Sequence, residues 1–260
     1  MPRCGLISTL NLGVSMYIKE EYRTKGGRLV LEYHSPGARP PNEKRGERRK
    51  ATPEEIQRNN LLAKQRKAKL LILENFSPGD YHSILTFTPE NRPDGEEECK
   101  RLFKNFRDRM KRAYRKEGHE MKWIANIEVG SRGAWHIHLI INRIPGTDVL
   151  LDRNWPYGRP RNIIIRDPGG MVPLAAYVSK ESRIRSPDGG ERKLNGFSHS
   201  RNLKMPKAKK KIMKRWETWK PDVRVPKGYC LLKDSLDEWI GRDGYPHREY
   251  VLLPEVRRRI

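Results

Sequence analysis

The chain is 260 residues long and carries 55 lysines and arginines against 32 aspartates and glutamates, which gives a formal net charge of +23. This length allows one large domain with extensions, and the charge predicts a polyanionic partner, nucleic acid above all, bound with salt-sensitive affinity. No stretch approaches the roughly 18 apolar residues of a membrane-spanning helix, and three scattered cysteines without a CxxC pair indicate a reducing cytoplasm and no zinc site of their own.

The first 77 residues are predicted to hold short strands followed by a basic helix. In residues 1–40, alternating segments such as "GRLVLEYH" indicate one or two strands. In residues 41–77, Thr52 precedes Pro53 and stands three residues before Glu55, which is the arrangement of a capping box. An amphipathic helix is therefore predicted to begin there, and its basic residues are candidates for contact with phosphate.

Residues 78–206 are the predicted core, in the order strand, helix, β-hairpin, strand, helix, strand. The segments are "YHSILTFT", "EEECKRLFKNFRDRMKRAYRKEG", "MKWIANIEV" with "AWHIHLIIN", "RNIIIR", "GGMVPLAAYVSKES" and "NGFSHS". This order predicts an α+β fold, an antiparallel β-sheet covered by helices. Residues 207–260 are predicted to be a basic C-terminal extension. The sequence leaves open whether the two terminal segments extend the sheet or form a separate module.

The stretch "GAWHIHLII" places His136 and His138 on the same face of a strand, because alternate side chains of a strand point to the same side. Two neutral imidazoles can bind a divalent metal when a third ligand is near. Glu128, before the hairpin turn, is the nearest acid. An odd-length loop or a bulge would bring it to the histidine face, whereas a loop of two or four residues would turn it away. The sequence does not decide between them, and a pair of ordinary strand histidines remains the alternative.

The segment "AAYVSK" places Tyr177 and Lys180 three residues apart, on one face of the predicted helix. A tyrosine hydroxyl, with a pKa of about 10, is a poor nucleophile near neutral pH. It can attack a phosphodiester when a metal polarises the scissile phosphate and a cation such as Lys180 offsets the developing charge. The histidine pair, a nearby acid and this helix together indicate phosphoryl-transfer chemistry.

The two motifs "GAWHIHLII" and "LAAYVSK" resemble those of the His–hydrophobic–His (HUH) endonucleases, in particular the single-tyrosine initiators of rolling-circle replication. Over about residues 40–205 the chain is similar to replication-associated proteins of bacterial plasmids, integrative elements and phages, for example in "MKWIANIEVGSRGAWHIH" and "SHSRNLKMP". The resemblance implies a catalytic sheet of the ferredoxin- or RRM-like kind, with the histidines on a central strand and Mg²⁺ or Mn²⁺ as the metal.

The resemblance also implies the roles of individual residues. His136, His138 and Glu128 would bind the metal, Tyr177 would be the nucleophile, and Lys180 would assist it. The residues expected to contact DNA, or in the case of the threonines to shape the first motif "LTFT", are Thr86, Thr88, Arg201, Asn202, Lys204, Lys209 and Lys210. The implied substrate is single-stranded or hairpin origin DNA in the cytoplasm of a bacterial host. No helicase domain and no Walker-type phosphate loop is seen, so a host helicase and DNA polymerase are the expected partners.

Other functions are compatible with parts of this pattern. A non-catalytic DNA- or RNA-binding regulator is one, although sheets that stack bases usually display several exposed aromatic side chains, where this hairpin carries histidines. A cupin-type oxidoreductase also uses an HxH pair, but it needs many short strands and a further histidine. Relaxases and transposases share the HUH chemistry, so a role in replication rests on the resemblance alone.

Overall fold

A computed structural model describes residues 17–34, 51–130, 133–181, 183–185, 190–194, 196–213, 219–242 and 245–255. Its helices are α1 (Pro53–Asn75), α2 (Glu96–Lys116), α3 (Thr147–Asn154) and α4 (Pro168–Ser179). Its strands are β1 (Tyr17–Arg23), β2 (Arg28–His34), β3 (Tyr81–Thr86), β4 (Trp123–Val129), β5 (Trp135–Ile141), β6 (Pro160–Ile164), β7 (Arg183–Arg185), β8 (Glu191–Lys193), β9 (Ser198–His199), β10 (Ala208–Met213), β11 (Tyr229–Leu231), β12 (Asp237–Ile240) and β13 (Pro246–Pro254).

The chain divides into two compact units. Unit 1 consists of residues 1–22, 28–59 and 208–260, and unit 2 consists of residues 23–27 and 60–207. The predicted fold class is confirmed, since the structure is α+β with antiparallel sheets and covering helices. Strands from both terminal segments belong to the sheet of unit 1, so these segments do not extend the sheet of unit 2.

Unit 1 is built on a six-stranded antiparallel sheet with the order β10-β1-β2-β13-β11, in which β12 also pairs with β13. The central pair brings Val30 opposite Tyr250, and these side chains form a small apolar core with Leu252. Beside that core the guanidinium of Arg248 donates to Glu32 Oε2 from Nη2 at 2.6 Å and from Nε at 3.0 Å. These two residues lie directly opposite each other in the β2–β13 pair.

The capping box predicted for α1 is confirmed. The backbone N–H of Thr52 donates to Glu55 Oε2 at 2.9 Å, and the N–H of Glu55 donates to Thr52 Oγ1 at 3.3 Å. The predicted amphipathic stripe is not what the helix shows, because its buried residues are gathered near its C-terminal end, at Ala68, Leu70, Leu71, Ile72, Leu73 and Asn75. The first four turns of α1 are exposed or half-buried and carry most of its polar residues.

Unit 2 contains a five-stranded antiparallel sheet with the order β6-β3-β5-β4-β9. One face of this sheet packs against α2, where Phe103, Phe106 and Met110 meet Ile137 and Leu139 in a continuous apolar core. The core residues of β5 alternate with its two histidines, so the histidines lie on the opposite face. On that face α4 packs against β4 and β5. The sheet therefore separates an apolar core from a polar site.

Candidate metal centre and nucleophile

The register of the hairpin decides which side chains share the polar face. In the β4–β5 pair, Glu128 lies directly opposite His136, and Asn126 lies directly opposite His138. Five residues, an odd number, separate the end of β4 at Val129 from the start of β5 at Trp135, and the Gly130 N–H donates to the Ala134 carbonyl at 2.8 Å. Directly paired residues project to the same side of a sheet. Glu128 is therefore brought to the histidine face.

Glu128, His136 and His138 form a compact cluster of potential metal ligands. One ligand atom from each lies within 4.8 Å of the others. Glu128 Oε2 is 3.0 Å from His138 Nε2 and 3.4 Å from His136 Nε2. Glu128 and His138 are buried, whereas His136 is half-buried. The cluster is thus fixed by the sheet and remains accessible from the side of His136.

Both imidazoles are also held by a contact at Nδ1, the ring nitrogen that points away from Glu128. His138 Nδ1 is 3.2 Å from Nε2 of the buried His82, and His136 Nδ1 is 3.3 Å from the Ala134 carbonyl oxygen. The Ala134 carbonyl can only accept, so His136 carries a proton on Nδ1 and its Nε2 lone pair is available to bind a metal. His138 contacts His82 through Nδ1 and Glu128 through Nε2, and a metal at Nε2 would require its proton on Nδ1. Metal-binding histidines are held in this way by outer-shell acceptors. Two Nε2 atoms and one carboxylate are a donor set that fits a divalent cation.

The ionisation of the cluster suits a cation as well. Burial lowers the pKa of His82 to about 4, with a further contribution from His138. Burial also lowers the pKa of His138, although Glu128 partly opposes this. For Glu128, burial raises the pKa, but the hydrogen bond and charge of Lys180, together with the two histidines, outweigh it and lower the pKa overall. At neutral pH the site therefore presents a carboxylate beside the neutral imidazole of His138.

The end of α4 brings Tyr177 and Lys180 to the cluster. The ring centroid of Tyr177 lies 5.9 Å from that of His138 and 6.0 Å from that of His82, and about half of the tyrosine, 52%, is exposed. The Lys180 ammonium contacts the carboxylate oxygen Oε1 of Glu128. A phenol, an ammonium and three potential metal ligands thus share one side of the sheet.

The expectation that Tyr177 and Lys180 lie on one helical face is wrong in its detail. Helix α4 ends at Ser179, and Lys180 is its C-cap with an extended ψ of 134°. The amide of the buried Asn126 donates to the Lys180 carbonyl at 3.0 Å and to the Tyr177 carbonyl at 3.4 Å. Satisfied in this way, these carbonyls need no further helical turn, and the lysine turns toward Glu128.

Of the residues expected to contact DNA, several are engaged within the fold of unit 2. Thr86 Oγ1 donates to the Arg159 carbonyl at 2.9 Å, and Thr88 Oγ1 accepts from Asn91 at 3.0 Å. The Asn202 amide contacts Glu120 and the Met121 carbonyl, both at 3.3 Å. These three side chains are engaged within the fold, and their contact with DNA stays a prediction.

The predicted basic contacts divide between the two units. Arg201 and Lys204 are exposed in unit 2, where the backbone N–H of Lys204 donates to Asn75 Oδ1 at 2.7 Å. Lys209 and Lys210 lie on β10 in unit 1, at the edge of its sheet. Lys210 forms an ion pair with Glu20 at 2.7 Å, so its charge is partly neutralised.

Sequence reasoning missed His82 and Asn126, which hold the site from behind. Each had a weak signal, since His82 is the second residue of "YHSILTFT" and Asn126 stands two residues before Glu128 in "NIEV". With β3 placed next to β5, the two-residue period would have put His82 on the same face as His138. That neighbourhood is a tertiary fact that the local pattern does not contain.

The part of the chain that holds the site is similar to a known family of proteins. Residues 82–182 match the family model described as replication-associated protein ORF2/G2P. The matched stretch is less than half of the chain, and it begins at His82 and includes the whole cluster together with Tyr177 and Lys180. No curated protein and no solved structure gives a significant match. The match supports a replication-associated role that involves DNA.

Across the described ranges of the chain, no helix has both the length and the apolar character that crossing a membrane requires.

Proposed function

We propose that the protein nicks and rejoins single-stranded DNA at a replication origin, with Tyr177 as the nucleophile, and so initiates rolling-circle replication. The observation that carries this proposal is the cluster of Glu128, His136 and His138 beneath a half-exposed tyrosine. The family match over residues 82–182 supports the biological setting. The net charge of +23 suits a polyanionic substrate.

Mg²⁺ or Mn²⁺ would be held by His136 Nε2, His138 Nε2 and the Glu128 carboxylate. The bound cation would supply Lewis-acid polarisation of the scissile phosphate. His82 and the Ala134 carbonyl keep the two imidazoles turned toward the ligand position. Lys180, beside Glu128, adds positive charge where the attacked phosphate gains negative charge.

In the proposed reaction the Tyr177 phenol loses its proton to solvent, and its oxygen forms a bond to the scissile phosphorus. The bond between phosphorus and the 3′ oxygen breaks, and that oxygen takes up a proton. The products are a 5′-phosphotyrosine and a free 3′ hydroxyl. Because one phosphodiester replaces another, the step needs no ATP and runs in reverse when the 3′ hydroxyl attacks. Asn126, which clamps the carbonyls of Tyr177 and Lys180, positions the nucleophile.

The test is a search for the covalent adduct. We expect that labelled single-stranded oligonucleotides from the protein's own replicon, incubated with Mn²⁺, give a DNA-linked band on a denaturing protein gel. Tyr177→Phe and His136→Ala should abolish the band, since they remove the nucleophile and a metal ligand. The matched control is Tyr157→Phe, which removes a hydroxyl from unit 2 but keeps a ring that packs against Trp155.

An adduct that persists in Tyr177→Phe would assign the nucleophile to another residue. Tight binding of cognate DNA without any adduct would leave a non-catalytic DNA-binding regulator. Relaxases and transposases form the same adduct, so replication requires a second measurement. We expect the nicked 3′ end to prime synthesis when a bacterial helicase and DNA polymerase are added, as the cytoplasm of a bacterial host would supply them.

A further inference from the structure

A basic cleft lies on the face of the unit 2 sheet opposite the histidines. It is a cleft of about 810 Å³ between the C-terminal half of α2 and the turn that follows β9. Its charged lining comprises five basic side chains and two carboxylates, namely Lys104, Arg107, Lys111, Arg115, Arg201, Asp108 and Glu120. Helix α2 packs on the core face of the sheet, opposite the histidines. The cleft is thus separate from the candidate metal centre.

The two acids of the cleft are already engaged, and most of its cations are not. Asp108 pairs with Lys104 at 3.0 Å, and Glu120 accepts from Asn202 at 3.3 Å. Among the residues that the structure describes, none forms an ion pair with Lys111, Arg115 or Arg201. The cleft therefore has an uncompensated positive charge.

Arg107 shows that the cleft is built around a fixed cation. Its guanidinium carbon lies 4.8 Å from the ring centroid of Trp123 and 5.1 Å from that of Phe103. Its Nε atom is buried and has no hydrogen-bond partner in the described part of the chain. Stacking on two aromatic rings restrains the side chain, and a buried donor without a partner is costly. The guanidinium is thus a positive charge fixed in the lining of the cleft.

The spacing of the cations suits a phosphate backbone. Lys104, Arg107, Lys111 and Arg115 follow one another along α2 at intervals of three or four residues, so they form one stripe on the helix. Eleven residues at 1.5 Å each make this stripe about 16 Å long, which spans two or three phosphates. The helix dipole favours cations in the last turn of a helix. Lys104, Arg107 and Lys111 lie before the last turn of α2, so the dipole does not account for them.

We infer that this cleft binds the sugar–phosphate backbone of duplex DNA flanking the nicked strand. Its aromatic component, Trp123, is buried beneath Arg107 rather than displayed for stacking. Single-strand sites combine cations with exposed aromatic platforms, whereas a duplex exposes only phosphate and groove edges to such a stripe. That the polyanion is DNA rests on the proposed function. That the cleft binds phosphate is argued from its own residues.

Two matched double variants of the full chain test this inference. Lys111→Gln with Arg115→Gln removes one lysine and one arginine from the cleft. Arg112→Gln with Lys116→Gln removes the same two charges from α2 at exposed positions outside it. The probe is a labelled 20-base-pair duplex of arbitrary sequence, with binding measured by anisotropy at several NaCl concentrations in EDTA. EDTA excludes the nicking reaction, so failure of the proposed function leaves this result unaffected.

We expect the cleft double variant to bind the duplex about tenfold more weakly at 100 mM NaCl, with a log–log salt slope smaller in magnitude by about 2. The outer pair should change the affinity less than about twofold. Equal losses in both variants, or no loss in either, would overturn the inference. A larger loss on a single-stranded 20-mer than on the duplex would also overturn it, by assigning the cleft to single strands. Circular dichroism spectra and melting midpoints should match the wild type in both variants.

Discussion

The chemistry of the candidate centre depends on residues one layer removed from the ligands. His82 Nε2 lies 3.2 Å from His138 Nδ1, and burial lowers the pKa of His82 to about 4, so its imidazole is neutral at neutral pH. The Ala134 carbonyl accepts a hydrogen bond from His136 Nδ1. Because these contacts hold both rings in place, the geometry of the cluster is prepared before any ligand arrives.

Replacing His82 should therefore weaken metal binding without removing a ligand. We expect His82→Leu to lower the affinity for Mn²⁺ by about 10- to 100-fold, the usual effect of losing an outer-shell partner. Titration calorimetry of the full chain with MnCl₂ measures this directly. His119→Leu, an exposed histidine in the same unit, should leave the affinity unchanged. An unaltered Mn²⁺ affinity in a folded His82→Leu protein would show that His82 only fills space.

At the scale of elements, the end of β3 is fixed by a close approach of the turn that precedes β6. The Trp155 indole N–H donates to the Thr86 carbonyl at 2.7 Å, and the Thr88 N–H donates to the Tyr157 carbonyl at 2.8 Å. Gly158 follows Tyr157 directly. A Cβ atom there would meet the Thr86 carbonyl group, with its carbon at 2.8 Å, and the backbone of Phe87. This approach requires a glycine.

Gly158→Ala should accordingly lower the free energy of unfolding by about 1–3 kcal/mol, since the backbone of β3 must shift to admit the methyl group. Urea denaturation followed by tryptophan fluorescence gives the value. Gly170→Ala is the control, because a Cβ at this exposed position in α4 meets nothing nearer than Asp167 Oδ1 at 3.9 Å. It should be neutral, or stabilising by up to about 1 kcal/mol. Equal stability of the two variants would refute the close-approach argument.

Elements with a local signature could be predicted from the sequence, and their mutual placement could not. The capping box at Thr52 and the alternation in "WHIHLII" depend only on neighbouring residues. Glu128 reaches the histidines only if the hairpin turn has an odd number of residues. That number depends on where the two strands end, which the sequence does not fix. The early end of α4 at Ser179 depends on Asn126, which lies more than fifty residues away. Such contacts have no signature in a single sequence.

For the whole molecule, the dominant property is its charge of +23. Each phosphate neutralised by a lysine or arginine releases condensed counterions, so affinity for single-stranded DNA should fall steeply with salt. With about six phosphates engaged we expect a log–log slope near −4, which is a loss of more than a hundredfold between 50 and 200 mM NaCl. Anisotropy with a labelled 20-mer measures it, and sucrose at constant salt is the control. A slope near −1 would contradict a largely ionic interaction.

The sheet of unit 1 joins strands from opposite ends of the sequence, with β2 paired to β13 and all of residues 60–207 intervening. On the ribosome, β1 and β2 emerge early and must wait for the last strands before their sheet can close. Unit 2, whose strands lie within one continuous stretch, can complete its own sheet first. A nascent chain stalled after residue 207 would therefore expose unpaired strand edges from unit 1, and quality-control proteases and chaperones would encounter this intermediate.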